Sequence, residues 1–124
     1  MEVVCETSDS ALYYSAADVF VCASRMESFP RVILEAMAAG LPIITTPVYG
    51  IAEQVQENIN ALFYQPGDAA ALTGHIDRLL GEPRLRQRLA DNSRFVLETL
   101  NDFETMVCAY GSAFREAWLT GRSR

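Results

Sequence analysis

Three short apolar runs, each followed by a segment of helical spacing, divide the chain. The strand-like runs cover residues 19–23, 43–46 and 61–64. Runs that lack alternation and are rich in β-branched residues are typical of strands covered on both faces. Helical spacing is found at residues 10–17, 31–39, 51–55, 69–80, 83–99 and 102–119. This alternation predicts an α/β fold, a Rossmann-like parallel sheet with flanking helices.

Individual residues mark where the predicted helices begin and end. Gly40 follows the segment 31–39 at the C′ position, where a helix often stops in a left-handed residue. Asp68 is placed to cap the next long helix, and Pro83 belongs in the first turn of the one after it. Either Asn101 or Asp102 caps the last helix.

The length of the chain, 124 residues, is that of one domain, and half of the residues are hydrophobic, so a core can form. Val3–Val4 is interpreted as the stub of a further strand. A doubly wound sheet normally carries more βα units before Asp18. We therefore expect residues 1–124 to form a single, partial domain, with C-terminal helices at 83–120, and interpret Met1 as a truncation or a very short start.

Charge and cysteine content exclude some classes of partner. The net charge of -6 argues against a nucleic-acid partner, which requires clustered Lys and Arg. The three cysteines lack metal-ligand spacing, so we interpret them as buried reduced thiols and predict no metal site. No secretory pattern and no apolar run of about 18 residues is found, so we expect a cytoplasmic protein.

The loop and helix after the first predicted strand hold the candidate chemistry. Ligands of open α/β sheets bind beyond the carboxyl ends of the strands, which is where this segment begins. We expect Ser28 to cap the helix and Pro30 to lie in its first turn. The amides of Phe29, Arg31 and Val32 would then face outward and form an anion site at the helix N-terminus.

Two carboxylates flank this predicted anion site. Glu35 is the only charged residue in the segment 32–40, and it lies four residues after Arg31, on the same helix face. It forms either a solvated ion pair with Arg31 or a binding group for two neighbouring hydroxyls of a ligand. Glu27 lies eight residues before Glu35. A ligand with hydroxyls for each carboxylate and a diphosphate for the amides between them has the layout of a nucleotide sugar.

The segment 13–55, YYSAADVFVCASRMESFPRVILEAMAAGLPIITTPVYGIAEQV, resembles glycosyltransferase family 4, the glycosyl transferases group 1, of the GT-B fold. The resemblance implies the C-terminal donor-binding domain of a retaining transferase that needs no metal or cofactor. Its donor substrate would be a nucleoside-diphosphate sugar. By this resemblance the site residues are Glu27, Ser28, Phe29 and Pro30 for the donor sugar, Arg31 and Val32 for the diphosphate, Glu35 for the ribose, and Gly50 and Glu53 as further loop contacts.

The sequence departs from the family pattern in both loops. Ser28 and Pro30 stand where glycines are common, and Pro30 has no amide to offer to the sugar. In the later loop Tyr49 and Ala52 stand in place of a glycine's neighbour and a proline. Gly50 and Glu53 of the later loop still match the family pattern.

The resemblance covers one half of a two-domain enzyme, so we expect no complete catalytic site in this chain. An N-terminal acceptor domain or a partner chain would be required, and it could bring the protein to the inner face of the membrane. The alternative function is a non-catalytic donor-binding subunit or an inactive interaction module that needs a partner chain.

The last predicted helix carries a stripe of large apolar residues. The stripe consists of Phe103, Val107, Tyr110, Phe114 and Trp118. It either faces the core of this domain or packs against the acceptor domain, in which case it would be exposed here and promote self-association. His75, the only histidine, is expected on a solvated helix face.

Overall fold

The computed structural model describes residues 3–100 and 102–121 of the chain. Within this part, three parallel strands form one sheet in the order β1-β2-β3. The strands are β1 (Phe20–Cys22), β2 (Ile43–Thr45) and β3 (Ala61–Phe63). Ile43 lies opposite Phe20 of β1 and Ala61 of β3. The predicted α/β class and the predicted neighbours, the first and second strands joined by the helix after the first, are confirmed.

Helices flank the sheet and agree with the predicted segments to within a few residues. They are α1 (Ser10–Ala16), α2 (Arg31–Ala38), α3 (Ile51–Gln54), α4 (Ala69–Gly81), α5 (Pro83–Thr99) and α6 (Phe103–Gly121). The prediction of a strand stub at Val3–Val4 is wrong. Both valines lie in an exposed segment outside any strand, because β-branched side chains alone do not hold a two-residue strand without a paired neighbour.

The packing of β2, the central strand, explains why apolar and polar residues do not alternate along it. Ile43 packs into a cluster with Ile33 and Met37 of α2, on one face of the sheet. Its neighbour Ile44 points to the other face and packs with Leu79 of α4, among others. Both faces of β2 are therefore covered, as the sequence pattern predicts for a parallel strand.

Helix α2 ends as predicted at Gly40, whose φ of 70° is in the left-handed region. The amide of Gly40 donates to the Met37 carbonyl at 2.9 Å, and the amide of Leu41 donates to the Ala36 carbonyl at 3.0 Å. This pair of bonds is a Schellman motif, and it satisfies two carbonyls at the end of the helix. The chain then turns directly into β2.

The predicted starts of α4, α5 and α6 are also observed. Asp68 caps α4, its carboxylate accepting the Ala71 amide at 2.9 Å, and Pro83 is the first residue of α5. Asp102 accepts the Thr105 amide at 2.8 Å and caps α6. The alternative cap, Asn101, lies outside the described residues.

Helix α6 presents its apolar stripe to solvent. Val107, Tyr110, Phe114 and Trp118 are all exposed, and the side chain of Phe103 is outside the described set. The interpretation that the stripe faces the core of this domain is therefore wrong. An apolar stripe at helical spacing shows only that a helix has an apolar face, and it does not identify what covers that face.

The cysteines divide in the same way. Cys22, on β1, is buried as predicted, whereas Cys5 and Cys108 are exposed. The prediction of buried thiols is wrong for these two because Cys5 lies in the exposed N-terminal segment and Cys108 lies on α6. None of the helices described is long and apolar enough to cross a membrane.

Candidate functional site

Two loops meet at the carboxyl edge of the sheet. We call residues 23–30 the β1 loop and residues 46–50 the β2 loop. The hydroxyl of Thr45, at the end of β2, donates to the Cys22 carbonyl at 3.0 Å. The hydroxyl of Thr46 donates to the carbonyl of Ser24 at the start of the β1 loop. The two hydroxyls at the end of the buried strand β2 thereby fix where both loops leave the sheet.

Gly50 brings the two loops into direct contact. Its amide donates to the Glu27 carbonyl at 3.4 Å. A Cβ atom at this position would lie 1.3 Å from the Ser28 carbonyl oxygen, a distance that no side chain tolerates. The residue before it, Tyr49, has a φ of 46°, a backbone conformation that glycine adopts more readily. The departure at Tyr49 thus occurs where a glycine would be under less strain.

Gln54 anchors the end of the β1 loop, a role that the sequence analysis does not predict. Its side-chain amide donates to the Pro30 carbonyl at 3.1 Å, and only 1% of the residue is exposed. Its Oε1 atom is buried without a hydrogen-bond partner. The signal was present in the sequence, since Ile51, Gln54 and Val55 lie at the i, i+3, i+4 spacing of a buried helix face.

Helix α2 begins at Arg31 and has no side-chain cap. The expectation that Ser28 caps this helix, with Pro30 in the first turn, is wrong. Pro30 is itself the N-cap, and its side chain has no acceptor atom. Only the carbonyl of Pro30 takes part, accepting the Ile33 amide at 3.2 Å. Helix geometry leaves the amides of Arg31 and Val32 without an intrahelical acceptor.

Glu35 has two neighbours. One carboxylate oxygen lies 3.4 Å from Nη2 of Arg31, whose side chain is 88% exposed, whereas that of Glu35 is 35% exposed. The other oxygen accepts the Tyr14 hydroxyl at 3.0 Å. Burial and this hydrogen bond to Glu35 raise the pKa of Tyr14 to about 12. The ion pair with Arg31, one of the two alternatives for Glu35, is observed, whereas the contact with Tyr14 was not predicted.

Glu27 is half-buried and held by its own loop. The hydroxyl of Ser24 donates to its Oε1 atom at 3.1 Å. Phe29, between the two glutamates in sequence, is exposed. The carboxylate of Glu27 therefore has a defined position at the loop base.

Glu53 lies on a different part of this surface. Together with Phe29 and Leu34 it lines a groove of about 970 Å³ that continues to α5 and α6. Glu27, Arg31 and Glu35 are not part of that lining. The structure therefore brings Gly50 to the β1 loop, but places Glu53 in the lining of the groove.

His75 differs from its predicted environment. It is half-buried, and its Nε2 atom lies 2.9 Å from the carbonyl of Phe63, the last residue of β3. The prediction of a solvated side chain is wrong because α4 folds back over the end of β3. Among the described residues, no group of three or more His, Cys, Asp or Glu side chains could hold a metal ion.

Comparison with known proteins decides the family. The family model described as glycosyl transferases group 1 matches residues 3–95. The chain belongs to this family. Its relatives include a D-inositol 3-phosphate glycosyltransferase of Frankia alni, which is 39% identical over 80 residues, or 64% of this chain and 20% of that protein.

Solved glycosyltransferases of the GT-B fold have the same architecture as this group 1 chain. Sucrose-phosphate synthase from Thermosynechococcus elongatus is 35% identical, with a TM-score of 0.77 over 90% of this chain and 28% of that one. HepE from Anabaena, solved in complex with UDP-glucose, is 23% identical, with a TM-score of 0.79 over 89% of this chain and 30% of that one. The chain therefore spans less than a third of the length of these three proteins.

Proposed function

We propose that this chain forms the nucleotide-sugar-binding, C-terminal part of a retaining glycosyltransferase of family 4. The observation that carries the proposal is the uncapped N-terminus of α2 at the carboxyl edge of the sheet. Its free amides, at Arg31 and Val32, lie in sequence between Glu27 and Glu35. Such a terminus combines hydrogen-bond donors with the positive end of the helix dipole, and it favours an anion.

The diphosphate, the ribose and the sugar of a nucleotide sugar each have a candidate partner in this arrangement. The diphosphate would accept the amides of Arg31 and Val32. The ribose hydroxyls would donate to Glu35, whose half-buried carboxylate can exchange the long contact with Arg31 for shorter bonds. The donor sugar would lie against Glu27 and the β1 loop. HepE, which has the same fold, was solved with a ligand of this class, UDP-glucose.

In the transfer step, the bond between the sugar and the diphosphate breaks and negative charge develops on the leaving diphosphate. Helix amides that are already oriented stabilise this charge without reorganisation, which is preorganised electrostatic catalysis. The same donors allow a mechanism without a metal ion. Binding of nucleoside diphosphate should therefore be unchanged by a chelator, and a requirement for divalent ions would contradict this step.

The test is calorimetric titration of the purified protein with UDP, GDP and ADP. Glu35→Gln keeps the shape of the side chain and removes its charge. Loss of charge-assisted hydrogen bonds should weaken binding of the preferred diphosphate by about 1.5–3 kcal/mol, which is roughly 10- to 150-fold. Thermal melts check that the fold is intact.

Glu82→Gln is the matched control, because Glu82 pairs with Arg78 at the same i, i+4 spacing and at 3.2 Å, on a surface remote from the two loops. It should leave binding unchanged. If Glu35→Gln binds all three diphosphates as well as the wild type, Glu35 is only a surface ion-pair partner and the proposal fails.

The alternative is a donor-binding subunit or interaction module without activity of its own. The chain spans 20% of the Frankia alni relative and 28% of sucrose-phosphate synthase. We propose that the catalytic site is completed by an acceptor domain or partner chain. Sugar transfer by residues 1–124 alone would overturn that part of the proposal.

A further inference from the structure

Among the hydrogen bonds of the described residues, the one from Tyr14 is the only contact to the Glu35 side chain that comes from outside α2. Its hydroxyl reaches Oε2 of Glu35 at 3.0 Å from a helix 21 positions earlier in the sequence. The tyrosine ring packs against Phe20 of β1, with 5.8 Å between ring centroids. The position of the hydroxyl is thus set by the sheet.

The two oxygens of Glu35 are held very differently. The hydrogen bond to Tyr14 is part-buried and of ordinary length. The contact with Arg31 is 3.4 Å long, and the Arg31 side chain is 88% exposed. An exposed ion pair of this length contributes little and is readily exchanged for a ligand. One oxygen of the carboxylate therefore keeps Tyr14 as its partner, while the other can exchange Arg31 for a ligand.

We propose that Tyr14 is a positioning residue that orients the Glu35 carboxylate toward two neighbouring hydroxyls of a ribose. A carboxylate accepts about four hydrogen bonds, so three sites remain for a ligand beside Tyr14 once the Arg31 contact is released. The orientation of the carboxylate plane matters because two neighbouring hydroxyls donate to it at the same time. Each hydroxyl needs an acceptor lone pair that points toward it. The inference rests on the proposed function, since it names how the same site selects its nucleotide.

A purely structural role, joining α1 to α2, would also explain the contact. The two roles differ in what they do to ligand selectivity. A structural link affects binding of every nucleotide equally. A positioning role acts on the hydroxyl pair, and it must therefore change the preference for a ribonucleoside diphosphate over its 2′-deoxy counterpart.

The experiment compares Tyr14→Phe with Tyr13→Phe, which removes the same hydroxyl from an exposed neighbour on the same helix. Both variants and the wild type are titrated with UDP, GDP and ADP and with the matching 2′-deoxy nucleotides. For the preferred base, Tyr14→Phe should lose about three- to tenfold in affinity for the ribonucleotide, a fraction of what a direct charge-assisted bond contributes. The 2′-deoxy nucleotide should lose less. Tyr13→Phe should match the wild type.

A second variant separates positioning from folding. In a Glu35→Gln background, Tyr14→Phe should have no further effect on the ribo to 2′-deoxy ratio, because the two residues act through one contact. An unchanged ratio in Tyr14→Phe, or an equal loss in both backgrounds, overturns the inference while the proposed function stands. If the wild type binds none of the three diphosphates, the proposed function fails and takes this inference with it.

Discussion

At the scale of single residues, Gly50 sets how closely the two loops of the candidate site approach each other. Gly50→Ala would drive a Cβ atom into the Ser28 carbonyl, 1.3 Å away. Because the obstacle is backbone, relief requires the loops to separate, and we expect the unfolding free energy to fall by about 1–3 kcal/mol. Chemical denaturation measures the change.

Gly74→Ala is the opposite case and serves as control. Gly74 lies inside α4, and an added Cβ meets no atom within 4 Å. Alanine should stabilise that helix by roughly 0.5–1 kcal/mol. A neutral Gly50→Ala would show that the loops do not pack as closely as described.

Tyr14 gives a second residue-scale prediction, which concerns alkaline pH. Its pKa is raised from 10.0 to about 12 by burial first, and then by Glu35. A raised pKa means that the folded state holds the proton more tightly than the unfolded state. The stabilisation is full below pH 10.0 and is lost between pH 10.0 and about 12, as the unfolded chain ionises first.

Wild type and Tyr14→Phe should therefore converge in stability over this pH window. Tyr64 also has a raised pKa through burial, and comparison of the two proteins cancels its contribution. Glu35→Gln should bring the pKa of Tyr14 only part of the way back, because burial remains. The difference in tyrosinate absorbance between the wild type and Tyr14→Phe during titration measures the pKa of Tyr14. A normal pKa for Tyr14 in the wild type would contradict the described contact.

The sequence predicts contacts between residues at a recognisable local spacing, but it does not predict contacts between residues that are distant in the chain. Arg31 and Glu35 lie one turn apart, so their pairing follows from helix geometry alone. Tyr14 is 21 residues from Glu35, and its hydroxyl reaches that carboxylate only because α1 packs beside α2. No local pattern contains that information. Ser28 was misassigned as a cap because the extended Pro30 delays the start of the helix.

At the scale of elements, helices were predicted best where the chain carries its own stop and start signals. Gly40 and Asp68 mark boundaries by backbone conformation and by a local hydrogen bond, both of which are encoded within a few residues. The burial of α6 could not be predicted in the same way. Its apolar stripe resembles that of a core helix, and only the positions of the other elements decide whether it is covered.

The cap of α4 is the element-scale prediction. Asp68→Ala removes the acceptor of the Ala71 amide, a bond of 2.9 Å, and should cost about 0.5–2 kcal/mol of unfolding free energy. Asp77→Ala, an exposed site within the same helix, should change it by less than about 0.5 kcal/mol. Equal effects of the two substitutions would show that the cap does not set the stability of α4. Thermal melts by circular dichroism are sufficient.

At the scale of the whole molecule, the exposed stripe of α6 predicts association. Val107, Tyr110 and Phe114 lie on one helix and are all exposed in the described chain. Contiguous apolar surface of this kind usually marks a contact with another protein surface. We expect residues 1–124 to self-associate at high concentration through α6, as measured by light scattering coupled to gel filtration.

Phe114→Ser should shift the protein toward the monomer. Phe95→Ser, which removes a similarly exposed phenylalanine from α5, should not. A wild-type protein that remains monomeric over the whole concentration range would remove this prediction.

The joining of the two loops by residues from both sides has a consequence for protein engineering. An exchange of one short motif between related chains would take residues 24–40. Such a chimera would keep the glutamates but inherit foreign partners for the Ser24, Glu27 and Pro30 carbonyls, which Thr46, Gly50 and Gln54 now engage. The smallest cassette that carries these loop contacts together with the Thr45–Cys22 hydrogen bond is residues 22–54. Crossovers placed at its two ends should yield more folded hybrids than crossovers placed inside it.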